Sequence, residues 1–390
     1  MIINEEGTYN LVYTATDECG NETVVNRELV VETPVYGIIS RSAGSSVCER
    51  IGGSALFTEP VPQHSDGNGG WVGGSSPFDN IMPWSGMQIV EDADAGTLVS
   101  IPKFWYKWTH NGNEMQLEIS PSAKNGFFVS PAHADRGDGV GERDVVYVGR
   151  YHCSSNNYKS ATGVVPKSGM SRKDFRGNIH NLSPNVWQWD FATYWTIAML
   201  YLVEFADWDS QAMIGGGCSD ENQTQNTGLT DSMTYHTGTT NSQILKTAYG
   251  HIQYRYIEDL WGNIKSWCDG IYFNALEIFC IKNPSDFGDI ANGTSVGTRD
   301  NSYNYSKYFT DPSSVNGFEY ALYPYGSANE PQSRTHDKAT ATSGSNRAVH
   351  LNYGPNKSTE NGVFALASSF GDTETGYGQV GSRLMKLPSA

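Results

Sequence analysis

Residues 256–270 read Tyr256-Ile257-Glu258-Asp259-Leu260-Trp261-Gly262-Asn263-Ile264-Lys265-Ser266-Trp267-Cys268-Asp269-Gly270. Large apolar side chains surround one pair of adjacent carboxylates, so the stretch up to Trp267 belongs to a core, and residues 270–280 return to it. Trp261-Gly262-Asn263 reads as a turn after a strand, with the indole packed inside and not offered to a ligand. Glu258 lies in this core-building segment and is expected to cap or bridge.

Two helices precede it. Ser171-Arg172-Lys173-Asp174 is a start of the capping-box type and predicts a helix to about Asn181. Ser183-Pro184 supplies an N-cap and a proline at the first helical position, which predicts a second helix over 184–206. Trp187, Trp189, Phe191, Trp195, Ile197, Met199, Leu200, Leu202 and Phe205 make it apolar nearly all round, so it belongs in the middle of a core. With Glu204 inside and Asp190 and Asp207 beside it, the run 191–206 is too short and too charged to span a membrane.

Farther upstream, strands are expected at 101–108, 126–129 and 145–151. Tyr9, Leu11 and Tyr13 alternate with polar residues, 17–21 make a turn and 24–31 return, a β-hairpin within residues 1–33. Residues 1–8 are acidic and lack an apolar h-region, so no secretory signal is expected there. Residues 34–99, rich in Gly, Ser and Pro, read as a linker and β lead-in, and 215–250 and 283–345 as loops. Alternation reappears at 348–351, 363–366 and 381–385.

The 390 residues are enough for two or three domains. The 42 Gly, 22 Tyr and 10 Trp fit many turns, short strands and long surface loops. A formal charge of −16 repels a phosphate backbone, so no nucleic-acid partner is expected, and an anionic membrane surface is disfavoured for the same reason. The six cysteines have no C-x-x-C spacing and no histidines at zinc spacing; most are expected free and buried, with at most one bridge.

The order of landmarks carries a resemblance. Residues 78–83 (Phe78-Asp79-Asn80-Ile81-Met82-Pro83) are followed by Ile101-Pro102-Lys103-Phe104-Trp105-Tyr106 and by Val146-Tyr147-Val148-Gly149-Arg150-Tyr151. Next come Arg172 with Phe175-Arg176, then Glu204-Phe205-Ala206 with Ser210-Gln211. The Leu260-Trp261-Gly262-Asn263 stretch and a final Val380-Gly381-Ser382-Arg383-Leu384-Met385 complete the series. Over roughly residues 36–390 this resembles the phage tail-fibre and surface proteins with a C-type-lectin-like domain of the formylglycine-generating-enzyme-like subtype, many of them targets of diversity-generating retroelements. The resemblance implies an α+β, C-type-lectin-like fold, two helices on short, mostly antiparallel sheets. Residues 7–17 and 20–21 similarly resemble the last strands of bacterial Ig-like surface repeats. The implied domains are a partial Ig-like hairpin (1–33), the lead-in (34–99) and a ligand-binding domain (100–390) with a variable-type region at about 345–377.

That region also stands on its residue chemistry. Ser, Asn, Gly and Tyr dominate it, a paratope-like mixture in which Tyr gives rigid contact area and Ser and Asn adaptable hydrogen bonds. Val349, Leu351 and Val363 to Leu366 would anchor it on strands. The candidate contacts are Asn346, His350, Asn352, Tyr353, Asn356, Ser358, Ser368, Ser369, Asp372, Thr373, Thr375 and Tyr377. The expected function is non-enzymatic: a displayed receptor-binding protein at a virion tail tip or on a bacterial cell surface. Its partner would be a host-cell surface protein or glycan, and by analogy with tail proteins it would be a homotrimer.

Rival chemistries have weaker support. Calcium-dependent sugar binding lacks its tripeptide, since Asn329-Glu330-Pro331-Gln332 has the residues in the wrong order. The acidic loop with Asp135, Asp138, Glu142 and Asp144 lacks alternating ligands, so no cofactor is expected. Arg136-Gly137-Asp138 spells an adhesion tripeptide that recurs by chance. Cys268 and Cys280 do not align to a catalytic pair, and their apolar neighbours fit inert thiols. A glycan-degrading enzyme would need paired carboxylates, with Glu204, Asp207, Glu258 and Asp259 as the available set. A purely structural fibre module is the remaining alternative.

Overall fold

A computed structural model describes residues 7–218, 223–288, 293–299, 303–326, 328, 332–341, 344–352, 360–371 and 379–389. Strand accounts for 37 % of the chain and helix for 10 %, in three helices among many sheets. The architecture is thus β-rich and sandwich-like, and the expectation of an α+β, C-type-lectin-like fold is corrected. The reason is that, among the described residues, α-helix is confined to α1 (Arg172–His180), α2 (Phe191–Phe205) and the short α3 (Ser210–Ile214). The stretches 215–250 and 283–345, which read as loops, contain strands of two to five residues.

Three five-stranded sheets form one part of the body. The first runs Phe128–Val129, Trp105–Asn111, Glu114–Ser120, Tyr36–Ser40, Glu49–Gly52. The second runs Val186–Gln188, Leu384–Lys386, Val145–Gly149, Gly96–Pro102, Ile89–Asp92. The third runs Ile257–Glu258, Ile252–Tyr254, Gly238–Thr239, Gln63–Ser65, Trp71–Val72. An eight-stranded sheet has the order Thr294–Thr298, Glu277–Cys280, Lys265–Asn274, Arg347–Leu351, Leu366–Gly371, Lys338–Ala341, Tyr303–Tyr305, and Val380–Ser382 pairs in parallel beside Lys265–Asn274. Residues 36–99 are therefore part of the body and not a linker: Tyr36, Ile38, Phe78, Trp84 and Val99 are in the main core.

All fifteen residues of α2 are buried, and the helix packs against both the first sheet and the eight-stranded one. It starts later than 184 because Val186–Gln188 pairs with Leu384–Lys386 as a strand. The cap is Asp190, whose carboxylate accepts the Thr193 amide at 2.9 Å. Trp187 and Trp189 thus precede the helix. α1 begins as expected, with the Ser171 hydroxyl accepting the Asp174 amide.

Among the described residues, the N-terminal hairpin, Gly7–Thr16 with Glu22–Val31, pairs only with itself. Its turn is closed by Asp17, whose carboxylate accepts the amides of Cys19 and Asn21 and the Asn21 side chain. Tyr9, Leu11, Tyr13, Val25, Leu29 and Val31 share one face, because directly paired residues of a ladder point the same way.

Candidate functional site

The eight-stranded sheet carries the described part of the 345–377 region. Strand Arg347–Leu351 runs antiparallel to Leu366–Gly371, with Arg347 opposite Gly371 and Leu351 opposite Leu366. A single continuous binding patch does not follow from this register. The chain leaves the ladder at Asn352 on one end and at Gly371, opposite Arg347, on the other, roughly 17 Å apart at about 3.4 Å per strand residue.

His350, Asn352 and Ser368 are buried and are withdrawn as contacts. The ladder shifts register between Ala348 and His350, which breaks the in–out alternation and turns the imidazole inward. His350 Nδ1 meets the Asn352 carbonyl at 3.1 Å, its ring lies edge-on to Trp267, and burial pushes its pKa down to about 3. Asn352 has φ +52, and its amide donates to the Ala365 carbonyl at 2.7 Å. Ser369 lies in the strand Leu366–Gly371. Asn346 is half-buried with φ +53. Tyr353, Asn356, Ser358, Asp372, Thr373, Thr375 and Tyr377 lie outside the described residues.

At the Asn346 end the sheet closes in a compact tip. Strands Lys265–Asn274 and Glu277–Cys280 turn through Ala275 and Leu276, and Phe273 pairs with Arg347. The Ala275 amide donates to the Gly344 carbonyl at 2.9 Å, and the Arg299 amide to the Leu276 carbonyl at 3.0 Å. Arg299 is itself buried, its guanidinium 4.4 Å from the Phe273 ring centroid. Asn274, Ala275, Leu276 and Ser345 are exposed on this braced backbone. Sequence reasoning missed 274–276, because a turn between two core strands carried no composition signal.

The residues quoted first form a different centre. Arg383 is fully buried, and its guanidinium donates to the carbonyls of Gly149 (2.6 Å), Arg150 (2.7 Å), Glu258 (2.5 Å) and Asp259 (3.3 Å). Three of the landmark motifs thus meet at one side chain. Trp261 is buried and donates to the Gly215 carbonyl at 3.0 Å, as expected of a packed turn. Asn263 exchanges hydrogen bonds with the Gln225 backbone and donates to Asp259 Oδ2 at 2.9 Å.

The carboxylates weighed for catalysis are engaged. Glu204 is held by Arg255 Nε at 2.8 Å, Tyr254 at 3.0 Å and Ser76 at 2.7 Å. Glu258 accepts the Gly228 amide and both the amide and hydroxyl of Thr230; burial still raises it to about 6. Burial raises Asp207 as well. Arg136 of the Arg-Gly-Asp tripeptide is buried against Asp190 and the Lys282 carbonyl. The acidic loop is neutralised from within, Asp138 by Arg143 and Asp144 by Lys103. Cys268 and Cys280 are buried, free thiols, both pushed up by burial.

No protein-family model matches the chain and no curated protein matches it. Among the described residues no helix is long and apolar enough to cross a membrane.

Proposed function

We propose that the protein is a displayed ligand-binding protein that recognises a surface protein or glycan of another cell, from a virion tail tip or a bacterial surface. The observation that carries this reading is the tip: exposed Leu276, 39 % accessible, sits among exposed Asn274, Ala275 and Ser345 on backbone tied strand to strand. A rigid frame with small polar groups and one apolar anchor suits recognition, because little conformational entropy is lost on binding. The last residue of strand Leu366–Gly371, Gly371, lies opposite Arg347 beside this tip.

Binding of the labelled chain to a panel of bacterial cells and arrayed glycans tests the reading. The variant is Leu276→Asp with Asn346→Gly; glycine keeps the left-handed backbone while removing the amide. At least tenfold weaker binding with an unchanged denaturation midpoint is expected. Equal binding by variant and parent would exclude the tip as the contact surface.

A further inference from the structure

One cavity lies outside both the sheet tip and the Arg383 centre. It sits between α1 and the turn Pro284–Asp286, has a volume of about 580 Å³ and shares no lining residue with the tip. That volume is within the range of ligand pockets, roughly 300–1,000 Å³. Lys173, Gly177 and Asn181 run along it as one stripe, because residues three or four apart share a helix face. All three are exposed, as is Ser285 on the facing turn, so the mouth is open to solvent.

An aromatic pair lines the cavity as well. His180 stacks on Trp187, with ring centroids 3.8 Å apart and planes at 19°. His180 Nδ1 donates to the Val186 carbonyl at 3.0 Å, which pins the pair to the strand Val186–Gln188. A carbonyl only accepts, so Nδ1 carries a proton, and in the neutral ring Nε2 is then an acceptor. Trp187 Nε1–H has no acceptor among the described residues. Asn178 gives Nδ2 to the Asp174 carbonyl at 2.8 Å, which leaves Oδ1 to accept. The guanidinium on the cavity, Arg176, is forked onto Asp269 at 2.7 and 3.0 Å.

The fold does not require glycine at 177. No left-handed φ occurs there, and a Cβ would meet nothing within 4 Å. Glycine is among the poorest helix formers, so helix propensity favours nearly any other residue at this position. Its effect is to leave the helix backbone bare beside the cavity.

We infer that this cavity binds a neutral saccharide, with one pyranose ring packed against the His180–Trp187 pair. The C–H face of a pyranose is apolar and weakly positive, which suits the negative face of an aromatic ring. Each sugar hydroxyl both donates and accepts. Around the pair, Trp187 supplies a donor, His180 and Asn178 supply acceptors, and Asn181 and Ser285 supply both. An anion would need converging donors, and the Arg176 fork is already engaged by Asp269. The bare backbone at Gly177 gives the ring room to reach the pair.

Saturation-transfer difference NMR on the whole protein, with methyl β-glucoside, methyl β-galactoside and methyl β-N-acetylglucosaminide, tests the inference. At least one is expected to bind with a dissociation constant on the order of 1 mM, the scale for so small a ligand. Its strongest saturation is expected on the C–H protons of one ring face. Gly177→Leu fills the cavity from the helix and improves helix propensity. It is expected to weaken binding roughly tenfold or more, with a denaturation midpoint equal to or above the parent's. Trp187→Ala is expected to lose the saturation. The tip variant, Leu276→Asp with Asn346→Gly, is expected to bind the glycosides as the parent does, so the cavity and the tip are read separately. No transfer to any of the three in the parent, unchanged binding in Gly177→Leu, or loss in the tip variant would overturn the inference. Binding of N-acetylneuraminate without the neutral glycosides would overturn the neutral class.

Discussion

The Arg383 centre and the N-terminal hairpin are held together in opposite ways. At Arg383 one side chain donates to four buried carbonyls from two separate segments, two of which also meet a second partner, Arg150 the Glu258 amide and Asp259 the His152 ring, so its removal takes one buried donor from each. The hairpin keeps its cross-strand hydrogen bonds to itself, and Val12 is 61 % exposed. Among the described residues, none before Tyr36 enters a core cluster.

That contrast can be broken at its strong end first. Arg383→Met should cost about 3–5 kcal/mol, the range for removing one partner of a buried charged network, and urea denaturation reads it. Loss below about 1 kcal/mol would show that the four carbonyls find other donors. Gly262→Ala comes next, at about 2–3 kcal/mol, because the new methyl meets the Cys218 nitrogen in a backbone region that disfavours side chains.

A smaller effect separates a buried histidine from a surface one. Folded His350 titrates at about 3, well below its ordinary 6.5. Because that pKa is depressed, the unfolded chain takes up the proton first. The stability due to the neutral ring is complete above pH 6.5 and is lost as pH falls toward 3. His350→Leu should therefore flatten the pH dependence of the denaturation midpoint between 6.5 and 4 by about 1 kcal/mol per pH unit. An unchanged slope would place the ring in water. At the weak end, deleting residues 7–31 should move the midpoint of the remaining body by less than about 0.5 kcal/mol. A larger loss would show that the hairpin is bound to the body more firmly than its pairing indicates.

What could be read from sequence was whatever is written in consecutive residues. The apolar circumference of 191–205 places a buried helix, Ser171 caps α1, and Trp261-Gly262-Asn263 is a packed turn. The function of Arg383 was hidden because its acceptors are backbone atoms, which carry no residue signature. The α+β expectation failed because strands of two to four residues leave too few alternations to count. His350 and Ser368 have the residue types of a contact surface, but a register shift and strand pairing, both long-range, turn them inward.

Arg383 also sets a clock. Its acceptors at Gly149 and Arg150 lie 234 and 233 residues earlier in the chain. At a synthesis rate of roughly 5–20 residues per second, the ribosome needs about 10–50 s to deliver the arginine after those carbonyls have appeared. Through that interval the nascent polypeptide can collapse around α2 but lacks the donor of its centre, so anything that shields the waiting chain should raise the yield of folded protein.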